Sequence, residues 1–579
     1  MVSPPEQDSA SPEAEAAAAS DALAEQALAS LVGQFARPLD CLRELVQNAI
    51  DAGSPRVEVW VRPAPGALEI HVDDFGEGMD EATIDDKLTD LFASDKEDDL
   101  TRIGKFGVGF TSIFALDPQA VLVRTGRHGE AWELLFHRDR SYDKTRLDGA
   151  VDGTRITLFV PVSEGGAPRL IQECRWVLGS WCEHSDTPIT FESRSAAEAA
   201  GAGAAADPFA AFDAPAEARE TVNRPLALDG DLVVTWEEPG MRALIGLARS
   251  PRYGFYNGGL TLVNTADADV LGRWAPSLER YRFKVKSDVL EHTLTRDNVI
   301  HDDAWEGVMG SLEQAAESLV TSLVAAAEEA AADGSSLAVW HRHLTAEAPR
   351  LRGLRWRRRF DGALVFRGAD GAPISYRAIV RAERRTGVVW THPGEDLLGG
   401  ALIARGQLLV EALSETGALL LALAGTGHRR RLRHASEDFV MIQAADRPAL
   451  DLNERALLDG CEALLAASGW RRPLVAGALA GGGWDWRERL TLEAGADGIG
   501  RRGTSGGPVR SLRQRITRQA LFLNREHPVY RSWLTAAVRA PARAGFGLAQ
   551  AILHEQGASE RAWRRLMRAV PDHLSGGPR

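Results

Sequence analysis

The sequence RELVQNAIDAG, residues 43–53, decides the fold of the N-terminal part of the chain. Apolar residues recur at helical spacing here and predict a helix over residues 38–52. The polar residues Glu44, Asn48 and Asp51 are spaced i, i+4 and i+7, so they lie on one face of that helix. Two explanations are open for this segment alone: the polar face is exposed to solvent, or it binds a ligand.

A second motif, HVDDFGEGMD at residues 71–80, ends an alternating strand. Asp74, Gly76 and Gly78 form a D-x-G-x-G pattern, and Met79 follows it. Glycines let the backbone approach a flat ligand, and a carboxylate at a strand end can accept a hydrogen bond from an exocyclic amine. A tight turn is the alternative explanation.

A third motif, GKFGVGF at residues 104–110, precedes a helix predicted over residues 108–115. Its three glycines are spaced G-x-x-G-x-G. Free backbone N–H groups at the start of a helix can hold phosphates.

The order of the motifs is more informative than any one of them. The polar helix is followed by D-x-G-x-G, a charged span at residues 83–103, the glycine motif and then Gly153-Thr154, which opens a strand. Residues 39–160 thereby resemble the ATP-binding fold of the GHKL superfamily, which includes gyrase, heat-shock protein 90, histidine kinases and MutL. The G-x-x-x-x-G-K-[ST] pattern does not occur, so the sequence does not support a P-loop nucleotidase.

The resemblance implies a cofactor, ATP with Mg²⁺, and a role for each matching residue. Glu44 is the implied general base and favours hydrolysis over phosphotransfer, Asn48 would coordinate Mg²⁺, and Asp74 would bind the adenine amine. Residues 83–103 would form a lid that closes over the nucleotide. The other implied nucleotide contacts are Asp51, Gly76, Gly78, Met79, Gly104, Phe106, Gly107, Val108, Gly109, Phe110 and Thr154.

A second implied catalytic residue lies far along the chain. Residues 282–300 are similar to a middle-domain segment of heat-shock protein 90 in which an arginine reaches the γ-phosphate, and Arg296 takes that place here. An arginine supplied by a second domain can stabilise transferred charge. Ile300 stands where the family usually has a glutamine, so the resemblance does not imply the family's usual rate of hydrolysis.

Two later stretches favour one branch of the superfamily. Residues 363–391 resemble the next small α/β unit of heat-shock protein 90, and residues 520–557 resemble the dimerisation domain of its bacterial HtpG type. This colinear order implies an ATP-dependent chaperone with slow turnover and a role in the stress response. Its implied partners are a second copy of the chain, through the C-terminal domain, and unfolded or metastable protein clients.

Two alternatives remain open at the level of sequence. One is a MutL- or MORC-type clamp, in which arginine clusters at residues 350–359 and 429–434 bind nucleic-acid phosphates. The other is a regulator that serves a single partner in stress or defence. Runs of charge are more often solvated faces, which is the simpler explanation of both clusters.

The composition limits the partners and the compartment. The chain has 67 Lys and Arg against 81 Asp and Glu, a formal charge of −14, which disfavours nucleic acid as a partner. The four cysteines have no metal-site spacing, and no apolar run is long enough to span a bilayer. We therefore expect a cytoplasmic protein without a membrane partner.

The predicted fold class is multidomain α+β, with an N-terminal GHKL α/β sandwich. Alternating apolar residues predict strands over residues 57–61 and 68–72, and further strands are predicted near residues 120–125, 131–137 and 155–160. The predicted domains are a disordered tail (1–20), the ATP-binding domain (21–192), a linker (193–220), a middle domain with Arg296 (221–335), a small α/β subdomain (336–446) and a mainly helical dimerisation domain (447–579).

Overall fold

A computed structural model describes residues 37–89, 110–139, 141–194, 219–291, 293, 298–394, 396–425, 431–495, 497–501 and 520–575. The chain divides into two compact units, Met1–Leu319 and Val320–Arg579.

The N-terminal unit begins with an eight-stranded sheet. Its strands are Val57–Ala64 (β1), Ala67–Asp74 (β2), Ala120–Arg127 (β3), Glu130–His137 (β4), Tyr142–Arg146 (β5), Gly153–Pro161 (β6), Ile189–Ser193 (β7) and Arg219–Thr221 (β8). They are arranged in the order β5-β4-β3-β6-β2-β1-β7-β8. Only the β1–β7 pair is parallel among these neighbours. The five strands predicted between residues 57 and 160 are all present.

Helices cover one face of this sheet. Val59, Ile70 and the other inward residues of the central strands pack against the apolar side of the first helix, including Leu45 and Val46. This explains the amphipathic pattern in the sequence, because the helix buries one side against a sheet. The helical segments are Pro38–Asp40 (3₁₀), Cys41–Asp51 (α1), Glu81–Thr83 (α2), Ile84–Thr89 (π), Ser112–Leu116 (3₁₀) and Ala167–Trp181 (α3).

The opposite face of the sheet carries a buried polar cluster. The rings of Trp60 and His71 stack with centroids 3.4 Å apart, and the guanidinium of Arg194 lies 4.0 Å from the Trp60 centroid. Trp60 Nε1 donates a hydrogen bond to Asp73 Oδ2 over 2.9 Å. Asp73 is fully buried, and its Oδ1 has no partner within the described residues. Burial raises the pKa of Asp73 to about 7.

The predicted linker at residues 193–220 joins two strands of the same sheet. It starts at the end of β7, and β8 at its far end pairs antiparallel with β7. Residues 195–218 lie outside the described residues, so their predicted character stays a prediction. The first sheet therefore extends past residue 192, because a short strand after the linker returns to its edge.

A second sheet follows in the same unit. Its strands are Leu232–Glu238 (β9), Met241–Leu247 (β10), Arg252–Asn257 (β11), Leu260–Thr265 (β12) and Arg282–Ser287 (β13), in the order β12-β11-β13-β10-β9. The helical segments after β12 are Ala268–Trp274 (3₁₀), Ala275–Leu278 (α4) and Asp303–Asp333 (α5), and α5 continues past Leu319 into the second unit. The alanine-rich pattern predicted helix α5 over residues 305–332, close to the observed bounds.

The C-terminal unit starts with short helices and a small parallel sheet. The helices are Ala338–Ala346 (α6), Ala348–Leu351 (α7), Leu354–Phe360 (α8), Tyr376–Thr386 (α9), Leu397–Ala404 (α10), Ser414–Ala424 (α11) and Ala435–Asp438 (α12). The strands are Phe366–Arg367 (β14), Pro373–Ile374 (β15), Val389–His392 (β16), Leu409–Glu411 (β17) and Leu432–His434 (β18). Strands β17, β16 and β18 form the parallel sheet in that order.

A five-stranded sheet and five α-helices complete the C-terminal unit within the described residues. The strands are Phe439–Ala444 (β19), Leu474–Gly481 (β20), Thr491–Glu493 (β21), Ile499–Arg501 (β22) and Leu521–Asn524 (β23), in the order β21-β23-β20-β19-β22. The helical segments are Arg447–Ala449 (3₁₀), Leu452–Ala467 (α13), Trp484–Arg487 (α14), Pro528–Ala537 (α15), Pro541–Glu555 (α16) and Glu560–Ser575 (α17).

This sheet differs from the expected mainly helical domain at residues 447–579. Strand β19 lies before residue 446 and pairs with β20 after it, so the predicted boundary runs through one sheet. The sequence of β20, LVAGALAG, explains the difference. Its small residues give neither a strong alternation nor a clear helical period, and its partners lie far away in sequence.

Two further features are not confined to one unit. Within the parts that the structure describes, no helix is both long enough and apolar enough to cross a membrane. All four cysteines are free thiols, and each is buried.

Candidate functional site

Helix α1 holds the first two predicted site residues. Glu44 is only 2% exposed, although it is a carboxylate, and Asn48 one turn later is half-buried. Burying a carboxylate is costly unless neighbours or a ligand compensate. The buried position of Glu44 therefore excludes the simple explanation of a solvated helix face at this residue.

The third polar residue of the helix lies differently. Asp51 is exposed at the end of α1, and its Oδ1 accepts a hydrogen bond of 2.8 Å from Gln47 Nε2. Its predicted place in the nucleotide pocket stays a prediction.

Asp74 lies at the end of β2 in an environment that suits a buried acceptor. It is 8% exposed, and its Oδ1 accepts hydrogen bonds from the backbone N–H groups of Gly76 at 2.9 Å and Thr154 at 3.2 Å. Within the described residues, Oδ2 has no hydrogen bond. Burial raises the pKa of Asp74 to about 6, and the two backbone N–H groups partly oppose this rise. One oxygen is thus fixed by the backbone and the other is available to a ligand.

The end of β2 and the loop after it pass very close to the end of β3 and the start of β6. A Cβ on Gly78 would lie 2.0 Å from the carbonyl oxygen of Gly126, and a Cβ on Gly153 would lie 2.2 Å from that of Asp74. Both glycines also have positive φ, +67° and +71°. Only glycine allows this approach, so the D-x-G-x-G and G-T motifs form one packed cradle around Asp74.

Thr125 on β3 joins these two motifs and was not identified from the sequence. Its Oγ1 accepts a hydrogen bond of 2.9 Å from the Met79 N–H. The same oxygen lies 3.0 Å from Thr154 Oγ1 and 3.2 Å from the carbonyl oxygen of Gly153. Thr125 is fully buried. A threonine within an apolar strand does not belong to any recognisable motif. Only the structure shows that Thr125 links the two motifs of the cradle by hydrogen bonds.

The remaining predicted residues divide into two groups. Met79 is half-buried and packs against the core of the first sheet, and Phe110 is buried with its ring centroid 5.6 Å from that of Phe136. The others lie outside the described residues, and their roles stay predictions. These are Gly104, Phe106, Gly107, Val108, Gly109 and Arg296.

The described residues suit both parts of a nucleotide with Mg²⁺: the cradle suits the base, and Asn48 suits the metal ion. The cradle offers a buried acceptor beside a closely approached backbone, which suits a planar base with an exocyclic amine. Asn48 supplies an amide oxygen, a ligand type that Mg²⁺ accepts, and hard cations bind such sites largely through substrate phosphates. Among the described residues, no group of three or more His, Cys, Asp or Glu side chains forms a metal site by itself.

Comparison with known proteins agrees with this geometry. Residues 38–148 match the family described as "Histidine kinase-, DNA gyrase B-, and HSP90-like ATPase". None of the curated proteins matches the chain. The family description spans several classes of protein. The match therefore supports the GHKL ATPase superfamily for this domain and no single class within it.

Proposed function

We propose that this protein is an ATP hydrolase that binds ATP with Mg²⁺ in its N-terminal domain. The observation that carries the proposal is Asp74, whose Oδ1 is held by two backbone N–H groups while Oδ2 has no protein partner among the described residues. The match of residues 38–148 to a family of ATPases supports the same conclusion.

Four residues of the chain would contribute to ATP binding and hydrolysis. Asp74 would accept a hydrogen bond from the adenine amine, and Asn48 would hold Mg²⁺ through its amide oxygen. Glu44 would orient a water molecule and take its proton, and burial keeps this carboxylate away from bulk solvent. Arg296 would stabilise the transferred charge. Bound ATP supplies the phosphoanhydride bond, and Mg²⁺ neutralises phosphate charge.

Glu44→Ala separates binding from hydrolysis. We expect this variant to retain ATP binding and to lose at least about a hundredfold in turnover, because a general base typically contributes 10²–10⁴-fold. Glu69→Ala is the matched control, since Glu69 is another buried glutamate of the same domain and pairs with Arg62 over 2.6 Å. Equal turnover in Glu44→Ala and wild type would contradict the assignment of the base.

We further propose that ATP turnover drives a chaperone cycle of the heat-shock-protein-90 type in a cytoplasmic homodimer. The colinear resemblance of residues 282–300, 363–391 and 520–557 supports this role. The four free cysteines are consistent with a reducing compartment.

The chaperone role has a direct test. Sedimentation of the full-length protein should give a dimer, and addition of ATP should change its suppression of the aggregation of a heat-labile reporter enzyme. A monomer that leaves the aggregation unchanged, with or without ATP, would contradict this role.

A second candidate function is an ATP-gated clamp on nucleic acid, as in the MutL and MORC branches. The observation that favours it is the charge of the C-terminal unit, which has 38 arginines against 26 Asp and Glu residues. A clamp should remain on closed circular DNA but slide off linear DNA when ATP is present. Equal retention on both forms would contradict the clamp.

A further inference from the structure

The C-terminal unit has the opposite charge to the chain as a whole. Val320–Arg579 contains 38 arginines, no lysine and 26 acidic residues, a formal charge of +12, while the whole chain has −14. The expectation against nucleic acid rested on the charge of the whole chain. A polyanion, however, responds to the local field of the surface that it contacts.

Most of this net positive charge lies in residues 350–386, which include helices α8 and α9. Residues 350–386 contain 11 arginines and only three acidic residues. The two helices are neighbours, because the Arg377 N–H at the start of α9 donates a 2.9 Å hydrogen bond to the carbonyl oxygen of Asp361, which follows α8. The rings of Phe360 and Tyr376 lie 6.3 Å apart at the same junction. The arginines of both helices thus border one region of the unit.

The arginines of α9 form a stripe. Arg377, Arg381, Arg384 and Arg385 are spaced i, i+4, i+7 and i+8, so they share one helical face, and all four are exposed. The stripe is about 12 Å long at 1.5 Å per residue, with one guanidinium or more in each turn.

Eight exposed arginines in this region have no ion pair with a carboxylate in the described parts of the chain. Elsewhere in the unit, in contrast, Arg433, Arg447 and Arg525 each pair with one or two carboxylates. We call these eight residues the arginine surface: Arg352, Arg357, Arg358, Arg359, Arg377, Arg381, Arg384 and Arg385.

We propose that the arginine surface binds the phosphate backbone of nucleic acid. Guanidinium groups bind phosphate through two parallel hydrogen bonds, and a nucleic acid presents phosphates at a regular spacing that a row of arginines can follow. An acidic polypeptide offers carboxylates without such regularity. Because the surface is a row of cations without a defined pocket, it contacts backbone and does not select a base sequence.

The inference names the surface through which the second candidate function would act, and it can be tested without nucleotide. Full-length protein is titrated into a short fluorescent DNA duplex and, separately, a short RNA, over about 50–200 mM salt. The test variant replaces Arg377, Arg381, Arg384 and Arg385 with Gln. The control replaces Arg531, Arg539, Arg543 and Arg568 with Gln. These arginines are exposed, lie within residues 528–575 of the same unit and have no ion pair with any described residue.

We expect the test variant to bind at least about tenfold more weakly than wild type, with a salt dependence smaller by about three to four phosphate contacts. The control should change the dissociation constant by less than about twofold. Replacing the same four α9 arginines with Lys should retain most of the affinity, because the charge is kept. This variant separates loss of charge from loss of folding.

Three results would overturn the proposal. Equal losses in the test and control variants would show that only the total charge of the unit matters. Binding by wild type that is unaffected by the α9 variants would place the contact elsewhere. Polyglutamate or anionic lipid vesicles that bind as tightly as the duplex, with the same dependence on α9, would replace nucleic acid as the partner. Asp74→Asn should lose ATP binding but keep nucleic-acid binding. Failure of the ATPase proposal is therefore distinguishable from failure of the arginine-surface proposal.

Discussion

The two units of this protein have formal charges of opposite sign, and their charged side chains differ in burial. Met1–Leu319 contains 29 Lys and Arg against 55 Asp and Glu, a formal charge of −26, whereas Val320–Arg579 has +12. In the first unit, the carboxylates of the candidate site are buried, as Glu44 and Asp74 show. In the second unit, the eight arginines of the arginine surface are exposed and have no ion pair with a carboxylate of the described residues.

This difference predicts how each unit responds to substitution. A buried polar group depends on a few fixed partners, so loss of one partner has a large and local effect. Exposed cations contact a polyanion together, so each one contributes a small and nearly equal share. The following variants test this contrast, beginning with the largest expected effect.

Gly153→Ala should abolish ATP binding and destabilise the N-terminal unit by at least about 2 kcal/mol, because the added Cβ would lie 2.2 Å from the carbonyl oxygen of Asp74. Gly66→Ala is the matched control: its φ of +76° is similar, but a Cβ there meets nothing within 4 Å. It should cost only about 1 kcal/mol and leave ATP affinity unchanged. Urea unfolding and ATP titration measure both quantities. Normal ATP binding by Gly153→Ala would show that the cradle does not form the site.

Thr125→Val should weaken ATP binding about tenfold and destabilise the unit by about 1–3 kcal/mol, because the Met79 N–H loses its acceptor. Thr157→Val is the control on the opposite face of the sheet, where the Thr157 hydroxyl lies 2.9 Å from His71 Nδ1. It should cost similar stability without a change in affinity. If both variants bind ATP equally well, Thr125 has no positioning role.

Asp73→Asn tests the buried carboxyl that lies beside the site but faces away from it. Burial raises the pKa of Asp73 from 3.8 to about 7, so the folded state binds its proton more tightly than the unfolded state. Stability from this group is complete below the unfolded pKa and is lost as pH rises toward about 7. The melting temperature of Asp73→Asn relative to wild type should therefore increase between about pH 5 and about pH 8. A pH-independent difference would contradict the raised pKa.

Arg381→Gln should have the smallest effect. Loss of one phosphate contact should lower the slope of log affinity against log salt by about 1 and weaken duplex binding about threefold. Arg539→Gln, an exposed arginine of the same unit, is the control and should leave both unchanged. A loss as large as that of the fourfold variant would show that binding depends on one specific contact and not on a row of equal ones.

The N-terminal sheet was largely predictable because its signals are local. Strands β1 and β2 carry apolar residues at alternate positions, and helix α1 has a helical period with Glu44 and Asn48 on one face. Asp74 was found because glycines follow it at fixed positions. Thr125 was not found, because its partners Met79 and Thr154 are distant in sequence and meet it only in the folded sheet.

The C-terminal unit was less predictable for two physical reasons. Strand β20 is rich in glycine and alanine, so its place in a sheet depends on pairing with β19 and β23 and not on a local pattern. The charge of the unit is present in the sequence, but the acidic residues before Leu319 cancel it in the net value. The neighbouring positions of α8 and α9, which define the arginine surface, follow from tertiary structure.

The most direct test of the account is calorimetric titration of ATP with Mg²⁺ into full-length wild type, Asp74→Asn and Asp73→Asn. The two aspartates are adjacent and both buried, but only Asp74 faces the cradle. We expect wild type and Asp73→Asn to bind ATP equally well, and Asp74→Asn to bind at least about a hundredfold more weakly, a loss of about 2.7 kcal/mol. Equal ATP affinity in Asp74→Asn and wild type would contradict the assignment of this pocket as the nucleotide site.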